Sequence, residues 1–239
     1  MIALGLAAVC LALGYTATAA FGAAMVPPPP EILARLLALT LGGDVAVEGL
    51  RTFGRGLAGV LVANFLGVAL GLAAGVWPPA ARLFRPLLAA LNACPPVVWI
   101  ALAMVWIGSG GGTPVFAVAA ATLPPLFLAT LEGARAVDPR LAAMSRLYGV
   151  PMATRLRRLV IPTTLPFWRA AFAHTTAAAW KVAAVAEFLG SGDGVGARIY
   201  WAYHRLEMAD LYAWALTVMA LGVAVDAALA RTRKREAAR

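Results

Sequence analysis

The sequence predicts an all-α, polytopic membrane protein with six spanning helices, and three observations predict it. Of its 239 residues 62% are hydrophobic and only 13% are charged, with a mean hydropathy of +0.81, whereas soluble domains carry about 25% charged residues. Residues 2–30, 56–81 and 86–131 contain no Asp, Glu, Lys or Arg, and about 20 such residues carry a helix across the hydrocarbon core. The net charge of +9 is spread by loop rather than gathered on a soluble domain, which argues against a nucleic-acid partner and for a lipid bilayer. One face of the predicted topology holds Arg82, Arg85, Arg135, Arg140, Arg146, Arg155, Arg157, Arg158, Arg169 and the basic residues from Arg231 to Arg239. The other holds only Arg35, Arg51, Arg55, Arg198 and Arg205. The positive-inside rule therefore puts both termini in the cytoplasm.

The elements follow in order. The first apolar run, Ile2 to about Met25, reads as a span; it lacks a positive n-region and exceeds the length of a signal-peptide core, which disfavours a cleaved leader. Pro27 to Pro30 form a stiff spacer. Residues 31–53 mix leucine-rich turns with Glu31, Arg35, Asp44, Glu48 and Arg51, the pattern of a helix at the outer interface. The second span runs from about Gly54 to Val76, and Gly67, Gly71 and Gly75 recur every four residues along it, a spacing that permits close helix approach in lipid. The run 86–131 is long enough for two spans separated by a turn at Gly108-Ser109-Gly110-Gly111-Gly112, with kinks or unwound turns expected at Pro95-Pro96 and at Pro124-Pro125. Segments 163–190 and 211–230 complete six. No repeat or soluble insert interrupts the chain, so residues 1–239 read as one transmembrane domain with a core over 50–231.

Between the fourth and fifth spans lies a basic segment, 138–162, with helix signals of its own. The Asp138 carboxylate suits an N-cap and Pro139 the first helical position. Leu141, Met144, Leu147 and Tyr148 share one face, opposite Arg140 and Arg146, and Gly149 stops the helix. A second short helix is expected from about Pro151 to a stop at Pro162.

Catalytic signatures are missing. No glycine-rich loop ends in a lysine, since the two lysines follow Trp180 and Arg233, so the chain is not expected to hydrolyse ATP. Gly190 to Gly196 reads as a flexible outer turn. His174 and His204 lie outside any HExxH pattern, and Cys10 and Cys94 have no metal-type spacing and read as packing residues. The ionisable groups expected at membrane depth are Lys181, Glu187 and Asp226, with Glu132 at the end of the fourth span. An ammonium at the bilayer centre costs about 2.5 to 3.5 kcal/mol, so Lys181 should face protein or water. Two readings stay open for it. Lys181 lines a pathway and offers a transient site to an anionic solute, or it pairs with one of the three acids. Together with Glu187 and the broken backbone at Pro95 and Pro96, it is the candidate pathway chemistry.

From about Pro28 to Arg231 the chain resembles the permease subunits of binding-protein-dependent ABC importers of the nitrate, sulfonate and taurine group. That family carries a cytoplasmic loop of the form EAA-x3-G-x9-I-x-LP. Here Ala143-Met144-Ser145, Gly149 and Leu159-Val160-Ile161-Pro162 keep the spacing, with Ala143 where the family has Glu and Ile161 where it has Leu. Pro95-Pro96-Val97-Val98-Trp99-Ile100, Trp106-Ile107-Gly108, Val137-Asp138-Pro139-Arg140 and Ala186-Glu187-Phe188-Leu189-Gly190 look like the same group. The resemblance implies the type I ABC importer permease fold in the bacterial inner membrane. It also implies a homodimer, with a second permease copy, two ATP-binding subunits that hold the ATP and Mg, and an extracytoplasmic solute-binding protein. The 138–162 loop would then dock on the ATP-binding subunits through Asp138, Arg140, Ala143, Met144, Ser145, Gly149, Leu159, Ile161 and Pro162, and the solute would be a small anion such as a sulfonate or nitrate. The chain itself would be no enzyme and bind no cofactor. An ion-coupled secondary transporter or channel is the alternative class, and a non-transporting membrane assembly protein the third.

Overall fold

The computed structural model describes residues 2–237, with side chains described from 12 to 228. The side chain of Cys10 and the basic residues 231–239 counted above lie outside that range. The described chain is helical throughout, without a strand: α1 (Ile2–Phe21), α2 (Pro29–Leu41), α3 (Asp44–Val76), α4 (Pro78–Ala93), α5 (Pro96–Trp106), α6 (Gly112–Arg135), α7 (Pro139–Leu147), α8 (Met152–Arg155), a π turn (Leu156–Val160), α9 (Ile161–Gly190), α10 (Val195–His204) and α11 (Met208–Ala237).

Among the described residues three helices are long and apolar enough to cross a membrane: α3, α6, and α11 over Met208–Ala228. The pair α4 and α5 passes the same test together but is bent by 98°, giving four if the pair is one span. α9, at 30 residues, is long enough but is not among them.

Glycine and proline place most of the breaks. Gly22 (φ +85°) ends α1, Gly43 (φ +84°) separates α2 from α3, and Gly108 (φ +89°) and Gly110 (φ +148°) form the expected turn between α5 and α6. Pro29 opens α2, where its missing N–H costs nothing. Several sequence expectations are corrected. Residues 31–53 are not one interfacial helix, because the Gly42-Gly43 turn divides them between α2 and the first turns of α3. At 33 residues, α3 is about 50 Å long and extends well N-terminal of Gly54. α4 begins at Pro78, so Arg82 and Arg85 lie on a helix rather than in a loop. Pro95-Pro96 does break the chain, whereas α6 runs unbroken through Pro124 and Pro125.

Pro162 is not a stop. The Ile161 N–H reaches back to the Leu156 carbonyl, five residues away, so the π turn has already shifted the register where the proline arrives. Pro162 then falls in the first turn of α9, where a proline is tolerated.

The chain forms two compact units, Met1–Phe53 with Ala184–Arg239, and Gly54–Ala183. In the first, α2 and α10 pack on α11, and Leu39, Val195, Ala213 and Trp214 form the buried cluster. In the second, α4 and α5 pack on α6. Ala74, Ala80, Ala81, Leu88, Phe127 and Leu131 close one core, and Val60, Val118, Ala179 and Ala183 another.

The glycine ladder of α3 is what lets it meet α6 within this second unit. A Cβ on Gly59 would stand 2.6 Å from Val118 Cβ, on Gly67 3.1 Å from Leu126 Cβ, on Gly71 2.7 Å from Thr130 Cβ, and on Gly75 2.3 Å from Ala134 Cβ. Ala63, fully buried, completes the four-residue repeat. Small residues at this spacing bring two backbones together without interposed side chains, the main packing device where no hydrophobic drive separates helix from lipid. Gly71→Val should therefore lower stability by about 1 to 3 kcal/mol. Gly54→Ala, whose Cβ meets nothing within 4 Å, should be neutral or stabilising by up to about 1 kcal/mol. Thermal unfolding midpoints in one detergent compare the two; equal midpoints would refute the seam.

Candidate functional site

The helical segment 138–162 belongs to the second unit. The Asp138 carboxylate accepts the Arg140 N–H at 2.8 Å, and Pro139 occupies the first turn, as the sequence predicts. Gly149 ends the helix at φ +63°, its N–H donating to the Arg146 carbonyl at 3.0 Å. A Cβ there would meet nothing within 4 Å, so its requirement for glycine is one of backbone conformation rather than space.

No residue of α7, α8 or the π turn is buried. Leu141, Met144, Leu147 and Tyr148 stand 50, 55, 85 and 73% exposed and form an exposed apolar face. Between the two short helices is an open cavity of about 460 Å³ lined by Leu141, Met144, Tyr148, Thr154, Arg158 and Leu159. Arg155 also borders it, with Nη2 near Met152 Sδ at 3.4 Å and a buried Nε that has no hydrogen-bond partner. Of the other positions singled out in the sequence, Ala143, Arg140, Ile161 and Pro162 are exposed, and Ser145 and Leu159 half-buried.

The pathway candidates lie on different elements of the two units. Pro95 and Pro96 stand exposed at the break between α4 and α5. Lys181 is exposed on α9, with Nζ 5.9 Å from the Trp180 ring centroid. Asp226 is exposed on α11, and Glu132 forms a surface pair with Arg85 at 3.4 Å, an arrangement worth at most about 1 kcal/mol.

Glu187 belongs instead to a buried cluster that sequence reasoning missed. In the first unit, three successive N–H groups at the start of α10 find side-chain acceptors. Gly194 donates to Glu48 Oε2 at 2.7 Å, Val195 to Thr52 Oγ1 at 2.9 Å, and Gly196 to Glu187 Oε2 at 3.3 Å. The Thr52 hydroxyl donates in turn to Glu187 Oε2 at 2.6 Å. Arg198 closes on Glu48 Oε1 through Nε at 3.1 Å and Nη2 at 2.7 Å, and Arg51 adds a longer contact at 3.3 Å. Glu48 is 2% exposed and Glu187 fully buried. The positive end of the α10 dipole and the unpaired N–H groups of its first turn are what make two buried carboxylates tolerable.

The turn from Gly190 to Gly196 is therefore pinned rather than flexible. A Cβ on Gly194 would fall 2.2 Å from the Glu187 carboxyl carbon, and on Gly196 1.9 Å from the Ala184 carbonyl oxygen. The available sequence signal was Glu48 and Thr52, four residues apart on one helical face ahead of a glycine-rich turn. Elsewhere in this unit Arg35 forks onto Asp210, and hydrogen bonding to that carboxylate holds the guanidinium above its ordinary range.

Comparison with known proteins identifies the family. The description "Binding-protein-dependent transport system inner membrane component" matches residues 63–236. The chain belongs to this family. It is 26% identical over 222 residues to a probable ABC transporter permease protein of Brucella melitensis, spanning 93% of this chain and 90% of that one. A putative aliphatic sulfonates transport permease protein of Bacillus subtilis is 24% identical, over 85% of this chain and 74% of its own length. Among solved structures, an amino acid ABC transporter crystallised with histidines superposes with a TM-score of 0.63 at 17% identity, covering 84% of this chain and 98% of that one, and so shares the fold.

The permease's buried cap yields a direct test. Thr52→Val removes the acceptor of the Val195 N–H and a donor to Glu187, at a cost of about 1 to 3 kcal/mol for groups left unpaired in the interior. Thr52→Ser keeps both bonds. The valine variant should unfold at lower temperature in detergent and be cleaved faster within 190–196, and the serine variant should behave as wild type; identical behaviour of all three would remove the cap from the account.

Proposed function

We propose that this permease forms the translocation path of an ATP-driven importer for a small anion such as a sulfonate or nitrate. It would act as a homodimer with two ATP-binding subunits and an extracytoplasmic binding protein. The observation that carries the reading is the 138–162 segment: an apolar face exposed along its whole length, a cavity of about 460 Å³, and an Arg155 Nε shielded from water with no acceptor. Apolar side chains exposed together on an ordered helix mark a contact surface, and a buried donor without an acceptor is satisfied when a partner supplies one. ATP and Mg belong to that partner, and the permease contributes no catalytic group.

In this reading six spans are α1, α3, the bent pair α4 and α5, α6, α9 and α11. Both termini and the docking loop lie in the cytoplasm, and the pinned turn before α10 lies outside. The Bacillus subtilis sulfonate permease supports an anionic solute.

Two measurements test this. With the native cysteines replaced, a single cysteine at Gly192 should react with a membrane-impermeant maleimide in intact cells and one at Ala143 only after lysis; the reverse pattern would invert the topology. For docking, Leu147→Glu with Tyr148→Glu should abolish co-purification of the ATP-binding subunits while membrane insertion persists. Gly149→Val, which strains the left-handed turn by about 1 to 2 kcal/mol, should weaken that co-purification and reduce transport. Full assembly of both variants would return the loop to a mere topological signal.

A further inference from the structure

The exposed face of α9 carries chemistry that neither the docking loop nor the buried cap uses. Within the second unit Thr175, Ala179 and Ala183 are buried along one side of this helix, and His174 and Lys181 are exposed along the other. Seven residues separate His174 from Lys181, about two turns, so both project from one face. The residues between them on that side, Ala177 and Ala178, are small and half-buried. Among the described residues neither His174 nor Lys181 has a hydrogen-bond or ion-pair partner.

Trp180 adds the second observation. It is 9% exposed, and its indole Nε1 is buried without an acceptor. Lys181 Nζ lies over that ring, 5.9 Å from its centroid, so an exposed ammonium without an ion-pair partner stands beside an indole whose buried N–H has no acceptor. Both are donors, and neither can be left facing lipid without the penalty of an unsolvated polar group.

We propose that Lys181 Nζ and Trp180 Nε1 form an anion-binding point on the translocation path, taking one oxyanion group of the passing solute, with His174 a further nitrogen two turns along the same face. The site deepens the functional reading given above and rests on it, both for α9 as a span and for a small anionic solute. A single cation without a fixed counter-ion suits passage, because it attracts an oxyanion strongly enough to admit it and holds it too weakly to trap it. The ring beside the ammonium positions it through its π face while leaving the ammonium protons free to donate.

The test uses the whole complex of permease, ATP-binding subunits and binding protein in liposomes, with nitrate, methanesulfonate and the net-neutral glycine betaine as probes. Wild type should take up nitrate or methanesulfonate. At saturating binding protein, Lys181→Met should lower that rate about tenfold, the scale of one charge-assisted hydrogen bond, Lys181→Arg should stay within about threefold of wild type, and Trp180→Phe should fall between. Co-purification of the ATP-binding subunits verifies assembly of each variant. Anion uptake indifferent to Lys181→Met, or lost equally in Lys181→Arg, overturns this site and leaves the functional reading standing. Rescue of Lys181→Met by Glu132→Gln, Glu187→Gln or Asp226→Asn overturns it in favour of a structural ion pair, whether within one copy or with a second. A wild type that takes up neither anion overturns the anionic reading and this site with it.

Discussion

Hydrocarbon offers a backbone no hydrogen-bond partner, so each N–H and C=O placed there has to be satisfied by the protein itself. That constraint accounts for the all-helical chain, and its sharper consequences appear where a helix has to start, stop or bend. The same holds wherever backbone is buried in the protein, and the first N–H groups of α10 are met by Glu48, Thr52 and Glu187. The break before α5 is made at Cys94 and Pro95, where one N–H returns to Leu91 and the other does not exist. The entry to α9 is smoothed by a π turn, which keeps the carbonyl of Leu156 occupied ahead of Pro162.

Packing in the second unit follows from the same absence of water. With no hydrophobic drive to hold helix on helix, contact area and close approach take over, and α3 supplies them by presenting glycine or alanine to α6 at 59, 63, 67, 71 and 75. The basic loop obeys the opposite rule. Its helices bury none of their own residues and present leucine, methionine and tyrosine outward, the pattern that marks an interaction surface.

Local signals were legible and distant ones were not. Asp138, Pro139 and Gly149 could be read in order because capping, proline placement and a left-handed stop are decided by neighbours in sequence. The glycine ladder was legible as a period of four, though the partner helix was not. The buried cap escaped because Glu48 and Thr52 lie 146 and 143 residues from the N–H groups they meet. Read alone, Gly190 to Gly196 has the composition of a loose turn, and only the carboxylates of Glu48 and Glu187 reveal that the glycines clear space for them. Pro162 misled for a related reason. A proline ends a helix only when its absent N–H was needed, and the π turn just before Pro162 removes the need.

That π turn has an evolutionary consequence. One residue inserted into an α-helix whose flanks stay in place produces a π turn, so the segment Leu156–Val160 holds one residue more than an unbroken helix would between α8 and α9. Deleting one residue there would restore an uninterrupted helix, yet it would rotate everything before it by about 100° relative to α9. Arg158 and Leu159 border the cavity beside α7 from this very segment, and that rotation would carry such positions off the contact face. Length across this stretch should accordingly be more resistant to insertion and deletion than the identity of its residues, since side chains can be exchanged one at a time and helical phase cannot.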